Sequence, residues 1–70
     1  MEELSDRVVI DPEVLVGKPI IKGTRIPVQL IIELLANGRS EKQILKEYSQ
    51  LKEGDIKAAL LYASNCLKQR

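Results

Sequence analysis

Val28-Gln29-Leu30-Ile31-Ile32-Glu33-Leu34-Leu35-Ala36-Asn37-Gly38-Arg39-Ser40-Glu41-Lys42-Gln43 is the stretch that decides the fold. Val28, Ile31, Ile32 and Leu35 recur at i, i+3, i+4 and i+7, and Leu30 and Leu34 widen the stripe, so the segment predicts a central helix with one apolar face. Asn37-Gly38 predicts its end, because both residues tolerate the left-handed backbone that a helix C-cap uses. Ser40 followed by Gln43 has the order of a capping box, in which the hydroxyl accepts from an early amide and the Gln side chain reaches back. A second, short helix therefore begins there. It carries Ile44, Leu45 and Tyr48 on one side and Glu41, Lys42, Lys46 and Glu47 on the other, gives way near Ser49-Gln50, and leaves Leu51 to plug the corner.

Downstream, a third helix is expected to place Ile56, Ala59, Leu60, Ala63 and Leu67 on one stripe, with Glu53 and Asp55 near the positive end of its dipole. Gly54 in its first turn costs about 1 kcal/mol relative to Ala, so something other than propensity must set that boundary. Upstream, Pro12, Pro19 and Pro27 confine the irregular part of the chain to residues 1–27. Arg7-Val8-Val9-Ile10 reads as a short strand and Asp11-Pro12-Glu13 as a turn. Lys18 to Pro27 reads as a hairpin about Gly23. A tight loop at Lys22-Gly23 would set Ile21 against Thr24, and a longer loop would set Ile21 against Ile26. In either register Ile20 and Arg25 are expected on the hairpin's outer side, and the hairpin serves as a cover on the helices or as a dimerisation arm. The expected architecture is mainly α, one domain over residues 1–70. An arm of strand and hairpin (1–27) precedes a three-helix bundle (28–70) with the outline of a helix-turn-helix.

Composition narrows function. Among 70 residues there are 11 Lys or Arg against 10 Asp or Glu, no His and one Cys. Zinc sets, Cys/His dyads, Ser-His-Asp triads and internal disulfides are excluded together, which predicts no metal and no cofactor. The carboxylates, lysines and tyrosines that remain are not paired as acid and base, so no enzyme is expected. The longest uncharged run, Ala58 to Leu67, is ten residues, half of what a membrane span needs. The acidic start, Met1 to Asp6, is unlike a signal peptide, so a cytoplasmic protein without a membrane partner is expected. Residues 17–70 carry ten bases and five acids, a mild basic bias. With no Trp or Phe the core is aliphatic and small, and a homodimer is expected, its contact through the N-terminal strand and hairpin.

Asp11-Pro12-Glu13, the run Gly17-Lys18-Pro19-Ile20-Ile21-Lys22-Gly23-Thr24-Arg25-Ile26-Pro27-Val28, and Asp55-Ile56-Lys57-Ala58-Ala59-Leu60-Leu61-Tyr62-Ala63 together resemble the family known as domain of unknown function 433, over residues 7–63. The resemblance implies a homeodomain-like helical fold and an antitoxin-like protein, encoded beside a toxin nuclease of the PIN-like class. Lys52 and Gly54 depart from the family pattern, in which a Thr or Ser cap and a better helix former are usual.

Lys18, Ile20, Lys22 and Arg25 on the hairpin are the candidate partner-binding residues, for a nuclease groove or a phosphate; the alternative for Arg25 is solvation or pairing with Asp11 or Glu13. Leu61 and Tyr62 lie off the third helix's expected stripe, to be covered by the arm or by a partner protein. Lys52 and Lys57 are the candidate contacts to duplex DNA, with Glu53 and Asp55 opposing. Cys66 reads as a small buried residue. A DNA-binding helix-turn-helix regulator without a toxin, or a purely structural dimeric module, are the alternatives to the antitoxin reading.

Overall fold

The computed structural model describes residues 2–3 and 7–68. Three short strands, β1 (Glu2–Glu3), β2 (Val8–Ile10) and β3 (Pro19–Ile21), are followed by helices α1 (Val28–Ala36), α2 (Glu41–Glu47) and α3 (Glu53–Lys68). The strands form an antiparallel sheet in the order β1-β2-β3, with Glu3 opposite Val9, and Val9 in turn opposite Ile20. Strand alternation sends Val8 and Ile21 into a core shared with Val28, Ile31, Ile44, Leu51, Ile56 and Ala59 of the helical part. The arm and the helices therefore bury one another's apolar faces.

The opposite face of the sheet is not open. Val9 and Ile20, directly across from each other, are 1% and 3% exposed. Ile20 thus faces away from Ile21, yet it is nearly fully buried: β3 pairs with β2, and that pairing supplies Val9 as its neighbour. The hairpin takes the longer of the two loops. Ile21 N–H donates to the Ile26 carbonyl (3.0 Å) and Ile20 bridges to Pro27, so Ile21 faces Ile26 and not Thr24. Thr24 explains the choice. Its Oγ1 donates to the Ile21 carbonyl (2.8 Å) and accepts from Ile26 N–H (3.0 Å), closing the turn from inside. Gly23 supplies the left-handed step, at φ 82°. Before it, Asp11 Oδ1 accepts from Glu13 N–H (3.0 Å), the side-chain turn expected at Asp11-Pro12-Glu13.

α1 ends as its sequence requires. Arg39 N–H donates to the Leu34 carbonyl and Gly38 N–H to Leu35, the paired bonds of a Schellman ending with Gly38 in the left-handed region. α2 opens with the capping box: Gln43 N–H donates to Ser40 Oγ (3.1 Å) and Ser40 N–H to Gln43 Oε1 (3.0 Å). Leu51 fills the corner before α3, 5% exposed.

α3 differs from expectation in its rotation. Asp55, Ile56 and Ala59 are buried and Tyr62 packs against the core, whereas Leu60 is 43% and Leu67 71% exposed. The inward arc is centred on Ala59, with Asp55 and Tyr62 on one flank and Ile56 on the other. Leu60, about 100° on from Ala59, turns outward. Among the described residues, no helix is long and apolar enough to cross a membrane.

Candidate partner-binding surface

The start of α3 is fixed by a long-range contact that accounts for both unusual residues there. Lys52 offers no hydroxyl as a cap, but its N–H donates to Asp55 Oδ2 (2.9 Å), the reach-back half of a capping box. The other carboxylate oxygen, Oδ1, accepts from Arg7 Nη1 at 3.0 Å. To reach it the guanidinium lies flat on Gly54: a Cβ at that position would stand 2.8 Å from Arg7 Cζ. Gly54 is therefore the space that Arg7 occupies. No sequence period signals this; the poor helix former beside an acid in the first turn was its only trace.

Around this staple the candidate residues separate into distinct places. Lys22 and Lys52 meet, with Arg7, Thr24 and Gln50, at a polar depression of about 460 Å³ over Asp55. Lys57, Leu61 and Tyr62 line a neighbouring one of about 380 Å³. Arg25 is exposed on the hairpin turn and borders a third hollow with Gly23, Thr24 and Gln50. Lys18 stands at the rim of an apolar groove of about 430 Å³ between α1 and the second half of α3, with Pro19, Pro27, Val28, Ile32 and Tyr62. Ile20 lines the same hollow as Arg25, together with Val9, but is only 3% exposed. Tyr62 is half-buried while Leu61 stays 57% exposed, so only the latter is a free apolar side chain. Arg7, Gln50 and the groove residues Cys66 and Leu67 are sites that sequence reasoning missed; Cys66 is exposed, not buried.

Among the described residues, no group of three or more His, Cys, Asp or Glu could hold a metal ion. The cations sit on a hairpin turn and a helix start whose backbone is hydrogen-bonded, so they present charge from a rigid frame. A small strand-plus-three-helix protein with a cationic edge is the class defined so far.

The chain belongs to the DUF433 family, described as proteins of unknown function, whose model matches residues 8–63. The fold is similar to the crystal structure of a DUF433 member protein from Anabaena variabilis ATCC 29413, with TM-score 0.84 and 32% identity over 94% of this chain and 65% of that one. An uncharacterized protein of Sinorhizobium fredii, y4eO, is 35% identical over 60 residues, which are 84% of this chain and 27% of that protein. An uncharacterized protein of Archaeoglobus fulgidus is 55% identical over 29 residues, 41% of this chain and 81% of the relative. The chain thus spans about a quarter of the Sinorhizobium protein and less than two thirds of the Anabaena chain.

Proposed function

We propose that this chain is an antitoxin-like binding protein that holds a cognate PIN-like nuclease inactive through its cationic hairpin. The observation that carries the reading is Arg25, exposed on a turn that Thr24 locks from inside, with exposed Lys22 beside it. A nuclease of that class gathers carboxylates to hold its metal ions. A guanidinium can pair with two carboxylate oxygens at once and occupy such a site. Membership of DUF433 and the family's implied pairing with such nucleases support the reading. It is one of a binding protein, not of an enzyme.

Arg25→Glu is expected to abolish rescue of cells expressing the neighbouring nuclease while leaving the melting temperature nearly unchanged, because an exposed charge contributes little to stability. Full rescue by that folded variant would exclude Arg25 as an anchor.

A second reading, binding of duplex DNA by α2 and α3 as a homeodomain-like helix-turn-helix, is favoured by one feature. Asp55, one of the two acids that oppose a phosphate contact at the start of α3, is already engaged by Arg7 and by Lys52 N–H, while the other, Glu53, is exposed. Lys52 and Lys57 remain exposed at that end. If DNA binds there, log Kd changes with log salt by about 0.9 per phosphate neutralised, and Lys52→Ala or Lys57→Ala each lowers the slope by about one such step. Absence of binding at low salt would remove this reading and leave the first intact.

A further inference from the structure

The three hollows that hold the cations of the hairpin and of α3 adjoin one another. Gly23, Thr24 and Gln50 line both the hollow beside Arg25 and the one over Asp55, and Arg7 lines both the latter and the hollow at Lys57. Together they make one track from the hairpin turn, across the Arg7–Asp55 pair, to the first turns of α3. Five bases line it, Arg25, Lys22, Lys52, Arg7 and Lys57, against two acids, Asp11 and Asp55, in a chain whose net charge is +1. Both acids already accept hydrogen bonds: Asp11 from Glu13 N–H, and Asp55 from Arg7 and from Lys52 N–H. Concave surface lined mainly by one sign of charge focuses the field and gathers ions of the other sign.

We propose that this track seats the sugar–phosphate backbone of a nucleic-acid strand, with one phosphate in the hollow over Asp55 among Arg7, Lys22 and Lys52. The central cations come from three segments far apart in the chain, ahead of β2, after β3 and ahead of α3. Such a set matches a tetrahedral phosphate, with oxygens on several sides, better than a planar carboxylate, which a single guanidinium fork satisfies. Gln50 adds a neutral amide to the same hollow, the kind of donor that accompanies Arg and Lys at phosphates. The track is also extended: about 460 Å³ at its centre, with about 440 Å³ and 380 Å³ to either side. A repeating anion uses all three hollows, where a single ion uses one. The proposal deepens the DNA reading by adding the hairpin to it. It does not require α2 and α3 to dock as a helix-turn-helix, because a cationic groove can follow the backbone of a single strand.

The test is binding of the full chain to a fluorescent single-stranded oligothymidylate and to a duplex of the same length, each over a salt series. Lys22→Gln and Lys52→Gln should each lower the salt slope, by about 0.7 for the single strand or 0.9 for the duplex. Lys42→Gln, on an exposed α2 residue that lines none of the three hollows, should leave the slope unchanged. Dependence on Lys22 with either probe supports the proposal. Binding of neither probe overturns it, and so does equal competition by polyglutamate, which would assign the track to an acidic protein. Duplex binding that needs Lys57 but is indifferent to Lys22→Gln also overturns it and leaves the helix-turn-helix reading standing. A single strand bound through Lys22, with no duplex bound, does the reverse.

Discussion

At the start of α3, three features interlock over a single turn: the Asp55 carboxylate accepts from Arg7 and from Lys52 N–H, and Gly54 leaves room for the guanidinium between them. At the other end, Cys66 and Leu67 continue the helix with their side chains exposed. The same helix is thus tied to the arm at one end and carries exposed apolar side chains at the other. Charged and polar groups anchor the start because they are satisfied there by specific partners; towards the end Leu60, Leu61 and Leu67 are exposed.

Asp55→Ala tests the anchored end with the largest effect. It removes a buried acceptor of two hydrogen bonds, one of them from an ionised donor, and should cost about 2 kcal/mol. That is a fall in melting temperature of about 10 °C for a domain of this size. A change of only a degree or two would mean that α3 is held by packing alone. Gly54→Ala tests the space argument through its dependence on Arg7. In the wild type the new methyl displaces Arg7, so its helix-propensity gain is offset by the lost ion-pair bond and the net change is small. In an Arg7→Ala background the same substitution should stabilise by about 1 kcal/mol. Equal effects in both backgrounds, by denaturant melts, would show that Arg7 and Gly54 are uncoupled. Leu67→Glu sharpens the contrast from the opposite end: it should alter stability by less than about 0.5 kcal/mol, because Leu67 is exposed. A larger loss by the same melts would place Leu67 among the residues that hold the fold.

Features encoded within a few residues were legible in the sequence. Ser40 and Gln43 face each other because their spacing alone brings them together, and Gly38 ends α1 because the left-handed step needs no partner elsewhere. Leu51 was readable as the corner plug by its isolation between polar neighbours. Features set by distant residues were not. Ile20 was assigned the correct side relative to Ile21, but its burial depends on Val9, and a strand cannot announce its neighbour. The rotation of α3 was misjudged because Ile56, Ala59, Leu60, Tyr62, Ala63 and Leu67 cover so wide an arc that period alone allows several phases. Asp55, held by Arg7, selects one of them. For the candidate surface, the cations were found by type and position. Their division among separate hollows, and the part played by Arg7, required the fold.

The ending of α1 and the opening of α2 also bear on the order in which the chain folds. Every bond that shapes this corner joins residues within about one or two turns, from Glu33 to Gln43, whereas the Arg7–Asp55 contact joins residues 48 apart. Closing a short loop costs less entropy than closing a long one, so the corner is expected to form early and the staple late. Ser40→Ala should therefore act mainly by slowing refolding, and Arg7→Ala mainly by speeding unfolding. In a chain of this design the arm is the part that opens first under stress, and with it the grip on the start of α3.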